Sequence, residues 1–190
     1  MTINGIELRH TFEVEPVWDE LIEIYADVRA DQLHQPHYSV ERYSERLARH
    51  ASEPGWEAVI AYHDNEPVGY AYANTLQPDD RWWRRMTTAL PAGCTDIPTV
   101  ALKEGMLRLS WRGTGIARRA HDELLAHRSE EQASLLVNPQ AGNGKVKALY
   151  ESWGYETISE QQPSADGPVL TAMLRAIRRT APASSTAPLE

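Results

Sequence analysis

Apolar positions along the chain recur with two different periods, and the switching between them predicts a layered fold. Residues 6–12 carry branched and aromatic side chains at strand-like spacing and predict a first strand. After Pro16, Val17, Leu21, Ile24 and Val28 return every three to four residues, which predicts a helix to about Ala30 with the proline in its first turn. A second helix over residues 40–50 places Tyr43 and Leu47 on one side and ends at Glu53-Pro54-Gly55. Residues 56–62 and 68–73 are rich in aromatic and branched side chains and flank His63-Asp64-Asn65-Glu66-Pro67, the pattern of a hairpin.

Further on, residues 100–109, 113–127, 133–137 and 145–153 read as strand, helix, strand and helix, a succession that implies parallel pairing through crossovers. A last hairpin near residues 154–158 and 169–174 would add antiparallel strands. The expected fold class is therefore a mixed α/β sheet. Between these halves, residues 76–98 are interrupted by Pro78, Pro91 and Pro98 and hold Trp82 and Trp83 among Arg81, Arg84 and Arg85. A short helix is expected around Arg84, with the tryptophans walling a pocket, packing under the loop or meeting a second subunit. From Arg178 the composition collapses to Ala, Pro, Ser and Thr, so residues 179–190 are expected to be a flexible tail behind one domain over residues 1–178.

Charge narrows the function classes. A formal net charge of -8 argues against wholesale nucleic-acid binding. Arg108, Arg112, Arg118, Arg119, Arg128, Lys145 and Lys147 nevertheless cluster in sequence and could hold a small anion. No stretch approaches the ~20 apolar residues of a bilayer helix, and the start lacks a basic segment followed by an apolar run, so no membrane contact and a cytoplasmic location are expected. Cys94 is the single cysteine, and His34 and His37 have no third ligand at a suitable spacing, so no metal is expected.

The most informative stretch is Arg112-Gly113-Thr114-Gly115-Ile116-Ala117, between an expected strand and an expected helix. Glycines at such a turn let backbone N–H groups approach a ligand, and the helix N-terminus adds partial positive charge, so a pyrophosphate is the natural occupant. The spacing fits neither G-x-G-x-x-G nor G-x-x-x-x-G-K-[ST]. On the preceding strand, alternation puts Glu104, Met106 and Arg108 on one face, and Glu104 is the best candidate for a base, with a partner role toward Arg108 as the competing reading.

These residues resemble the GNAT superfamily of acyl-CoA-dependent N-acetyltransferases. Residues 112–117 match its R/Q-x-x-G-x-G/A signature, and Asn143-Gly144-Lys145-Val146-Lys147-Ala148-Leu149-Tyr150 followed by Glu151-Ser152-Trp153-Gly154-Tyr155 is similar to its later motif, an Asn opening a helix that carries a Tyr. The resemblance is strong over residues 100–158. It implies a central mixed, mostly antiparallel sheet, helices on both faces, and a splayed parallel strand pair that admits acetyl-CoA. It further implies main-chain contacts to pantetheine near Met106 and Leu107, a pyrophosphate site over residues 112–117, Asn143 at the cofactor side, and Tyr150 as the acid that protonates the departing thiolate. The expected function is transfer of an acetyl group directly to a primary amine of a small molecule or peptide. A CoA-binding sensor without turnover is the alternative, and a homodimer is compatible with either. Departures from the family pattern are Leu109 ahead of the loop, a longer connection over residues 138–142, and Gly105, which is expected to interrupt its strand.

Overall fold

The computed structural model describes residues 5–177, so the expected tail lies outside the described residues. In chain order the elements are β1 (Ile6–Thr11), α1 (Trp18–Val28), α2 (Val40–Ala51), β2 (Glu57–His63), β3 (Glu66–Leu76), α3 (Arg81–Arg84), β4 (Thr99–Leu107), α4 (Ile116–Ala126), β5 (Gln132–Val137), α5 (Lys145–Ser152), β6 (Glu156–Gln161) and β7 (Leu170–Ala176). The strands form one seven-stranded sheet in the order β1-β2-β3-β4-β5-β7-β6. Every neighbouring pair is antiparallel except β4 with β5.

Local chemistry accounts for the boundaries. Asp64 and Asn65 both take positive φ, 50° and 65°, which is what a two-residue hairpin turn between right-twisted strands demands. Ser39 caps α2 by accepting a hydrogen bond from the Arg42 N–H at 3.3 Å, and Asp80 caps α3 in the same way from Trp82. The stripe Leu21, Ile24 and Tyr25 of α1 packs with Tyr43 and Leu47 of α2 against Tyr70, Tyr72 and Met106 on one sheet face. On the opposite face Ala120, Leu124 and Leu125 of α4 cover Val59, Ala71, Val100 and Leu135. Trp82 and Trp83 are both buried beside Leu76 and Ala101, and the Trp82 indole donates to Ser134 Oγ at 3.0 Å. Of the three roles open to these tryptophans, packing beneath the connecting segment is the one the structure shows.

Two irregularities on β4 set up the site. Tyr72 pairs with Glu104 but its neighbour Ala73 pairs with Leu102, so Lys103 is an extra residue on β4, a β-bulge. The bulge reverses the facing of the strand: Val100 and Leu102 join the α4 side, whereas Glu104 and Met106 turn toward α1 and α2. Past the bulge the strand runs without a break through Gly105 to Leu107, so the expected interruption at this glycine does not occur. The second irregularity is at the parallel ladder, where Thr99–Leu102 of β4 pairs with residues 132–135 of β5 and pairing then stops, although the strands continue to Leu107 and Val137. The two strands therefore separate and leave a wedge open beyond Leu102.

Candidate active site

At the wide end of the wedge, β4 leads through a single 3-10 turn at Leu109–Trp111 into the glycine loop and α4. Gly113 and Gly115 have φ of 75° and 85°, a left-handed conformation that side chains with a β-carbon adopt at a cost, and a β-carbon on either would meet nothing within 4 Å. The concave side of the loop is thus bare backbone. Gly115 caps α4 with no side-chain acceptor, and no acidic residue occupies the first turn, so the leading N–H groups and the positive end of the helix dipole remain available to an anion. Thr114 turns its hydroxyl inward to the Trp111 carbonyl at 2.6 Å and stabilises the turn.

The basic cluster read from the sequence is largely spent on internal partners. Arg108 binds Glu23 and Asp27 of α1, Arg118 binds Asp122, Lys147 binds Glu151, and Arg128 is buried between Glu57 and Glu130. Among the described residues, Arg112, Arg119 and Lys145 are the members of that cluster without an ion pair. The positive charge left beside the loop is smaller than the count of seven implied, so what the loop offers an anion is chiefly its backbone N–H groups.

From the other jaw of the wedge, α5 delivers Tyr150. Three successive left-handed residues, Gly142, Asn143 and Gly144, bend the chain from β5 into the helix, and Gly144 is the capping residue. Asn143 therefore stands one position ahead of the cap, where it is exposed. The Tyr150 ring packs edge-on against Trp153 and Tyr155, with centroids 5.2 and 5.7 Å away. Its hydroxyl comes within 3.8 Å of where a Gly105 β-carbon would be, and among the described residues it has no hydrogen-bond partner. Burial, and secondarily the nearby Glu104 carboxylate, push its pKa up to about 12, so at neutral pH it is a phenol with a proton to donate.

Glu104 does not pair with Arg108. Its partner is Arg46 of α2, at 3.4 Å, on a half-buried surface shared with tyrosines. The Tyr25 and Tyr43 rings stack at 3.8 Å, and the Arg46 guanidinium lies 5.3 Å from the Tyr43 centroid. The Tyr43 and Tyr70 hydroxyls share a hydrogen bond of 2.6 Å, and Tyr72 bonds His50 at 3.1 Å. Burial opposes charge on Arg46, but Glu104 and the surrounding phenols outweigh it and hold the guanidinium protonated. The sequence singled out Glu104 and placed Tyr43 on the apolar side of its helix, but not Arg46 or the stacking of the tyrosines. The available signal was Arg46 itself, an arginine three residues after Tyr43 on the apolar side of a helix.

A cleft of about 540 Å³ lies between residues 35–38 and residues 166–168 of the β6–β7 connection. His37 lines it, with Ser164 Oγ 3.1 Å from Nδ1, and its pKa is lowered by burial and then by Arg46. Cys94 is buried, its thiol pKa raised by that burial.

A bare-backbone glycine loop at the open end of a splayed parallel pair, on a sheet otherwise antiparallel, is the arrangement of the acetyl-CoA-dependent N-acetyltransferase fold. The chain belongs to the acetyltransferase (GNAT) family, whose model matches residues 18–155. Among solved structures, a GNAT-family acetyltransferase from Streptococcus agalactiae superposes with a TM-score of 0.67 at 13% identity, covering 93% of this chain and 98% of that one. The PaiA N-acetyltransferase of Thermoplasma acidophilum, solved in complex with coenzyme A, gives a TM-score of 0.56 at 14% identity over 90% and 99% of the two chains. An aminoglycoside N(6')-acetyltransferase from Legionella pneumophila gives 0.57 at 16% identity over 93% and 94%. At such identities the likeness is one of fold. No curated protein matches the sequence significantly. Among the described residues no helix is long and apolar enough to cross a membrane.

Proposed function

We propose that the chain transfers an acetyl group from acetyl-CoA directly to a primary amine. The observation that carries this reading is the unpaired Tyr150 phenol held over Gly105 inside the wedge, with the Glu104 carboxylate on the same strand. Acetyl-CoA supplies the acetyl group as a thioester. The backbone of residues 112–117 is suited to its pyrophosphate, and the edge of β4 near Met106 and Leu107, which has no strand partner on the β5 side, is suited to the amide groups of pantetheine. Asn143 stands on the other jaw, at the entry to α5.

In this reading Glu104 takes a proton from the acceptor ammonium, directly or through water. The freed amine then forms the new C–N bond as the C–S bond breaks, the nitrogen releases its second proton to solvent to leave the neutral amide, and Tyr150 gives its proton to the departing sulfur. The phenol regains a proton from solvent. Holding both reactants in one wedge supplies most of the acceleration. The buried thiol of Cys94 has its pKa raised and is not poised as a nucleophile, which supports direct transfer over an acyl-enzyme.

The acceptor would enter between α1, α2 and the β6–β7 connection, where the cleft at His37 and the Arg46–Glu104 pair meet bulk solvent. A small amine and a peptide amine both remain candidates for that space. Thiol release measured with acetyl-CoA against a panel of amines tests the proposal. Turnover with any amine supports it, whereas tight acetyl-CoA binding with no thiol released above hydrolysis would replace the enzyme with a CoA-binding sensor.

A further inference from the structure

A second cluster of ligand-type side chains lies at the far end of α4, about 16 Å along the helix from the glycine loop. Glu123 and His127 are one turn apart and project from the same side, and His10 of the edge strand β1 faces them. His10 Nε2 is 3.1 Å from Glu123 Oε1, which is 3.6 Å from His127 Nε2, and one ligand atom from each residue fits within 4.8 Å of the others. Ligands about 2.0–2.1 Å from a tetrahedral zinc ion stand about 3.3 Å apart, so two of the three edges already have the right length. His127, 70% exposed, can close the third by a small rotation.

What lies behind the cluster points the same way. The other nitrogen of His10, Nδ1, meets Glu57 Oε1 at 2.8 Å, and Glu57 is buried and fixed by Arg128 at 3.1 Å. A carboxylate behind the far ring nitrogen is the usual device that orients a metal-binding imidazole and directs its lone pair at the ion. Charge agrees as well. Arg128 is matched by two carboxylates, Glu57 and Glu130, and His10 stands between Glu57 and Glu123, so the surroundings accommodate further positive charge at His10.

We propose that His10, Glu123 and His127 bind one Zn2+, with water as the fourth ligand on the exposed side. The imidazole donors favour zinc over calcium or magnesium. The ion would pin the end of α4 to β1, remote from the wedge, and so brace the helix whose other end forms the pyrophosphate cradle.

Calorimetric titration of the metal-stripped full chain with ZnCl2 should find one site per chain. His127→Ala and Glu123→Gln should each weaken it at least tenfold, while His34→Ala, at an exposed histidine elsewhere, should leave it unchanged. With Co2+ in place of Zn2+, the wild type should show the intense visible bands of a tetrahedral ion, and His127→Ala should lose them. Circular dichroism of the two variants, both altered at the surface, controls for folding. If the wild type binds no Zn2+, or if His127→Ala binds it with wild-type affinity, the proposal is wrong and His10 is instead an imidazolium bridging Glu57 and Glu123.

Discussion

The Tyr150 hydroxyl sits across the wedge from Gly105, close enough that a β-carbon at position 105 would lie 3.8 Å from the phenolic oxygen. A β-carbon there would be in ordinary van der Waals contact with the phenol, so the glycine leaves the strand surface beneath the Tyr150 hydroxyl bare rather than relieving a clash. Tyr150→Phe keeps the ring and its contacts with Trp153 and Tyr155 but removes the donor. Turnover should fall at least ~10-fold, with acetyl-CoA affinity and melting temperature close to wild type. Wild-type turnover under conditions where chemistry limits the rate would make Tyr150 a packing residue.

Glu104→Gln should lower turnover roughly 100-fold while acetyl-CoA binding persists. The same change leaves the Arg46 guanidinium without its carboxylate, so some loss of thermal stability should accompany it. Steady-state rates, calorimetry and a melting curve on one preparation separate the two effects. Activity within a few-fold of wild type would pass the proton to His37 or to water.

Gly115→Val should weaken acetyl-CoA binding tenfold or more. A branched side chain is strained at φ 85°, by about 1–3 kcal/mol, and it would project into the bare cradle. Calorimetry on the folded variant decides; unchanged affinity would remove the pyrophosphate assignment from this loop.

His121 predicts an acid dependence of stability. It is buried, with Tyr155 and Asp122 each 2.9 Å from its ring nitrogens, and burial drives its pKa down to about 4 despite the opposing Asp122 carboxylate. Between pH 6.5 and 4 the unfolded chain therefore binds a proton that the folded chain refuses, and stability falls as pH falls, by up to about 1.4 kcal/mol per pH unit from this group. His50, buried and likewise shifted down, adds in the same direction. Urea unfolding midpoints of wild type and His121→Gln across this range should show a shallower slope in the variant; identical slopes would exclude His121 as a contributor.

Features written in local spacing were legible in the sequence. The hairpin around Asp64 and Asn65, the stripe through Leu21 and Ile24, and the crossover from β4 through α4 to β5 each depend on a few neighbouring residues, and each stands where the pattern placed it. Family membership was legible for the same reason, since the glycine loop and the helix bearing Tyr150 are short contiguous motifs. Long-range pairings were not legible. The partner of Glu104 is 58 positions away, on a helix whose docking depends on the whole tyrosine cage. The acids that neutralise Arg108 come from α1, so counting local basic residues overstated the charge at the loop. Gly105 looked like a strand breaker because composition cannot reveal that the space of its missing side chain faces Tyr150.

The bulge at Lys103 divides a nine-residue strand into two sections that face opposite layers. Val100 and Leu102 point to the α4 layer, while Glu104 and Met106 point to the tyrosine cage beneath α1 and α2. Substitutions ahead of the bulge therefore report on packing against α4, and those behind it on packing and pairing against α1 and α2. Deleting the one extra residue would turn one section of the strand over relative to the other, sending the Glu104 carboxylate away from Arg46 and into the apolar layer under α4.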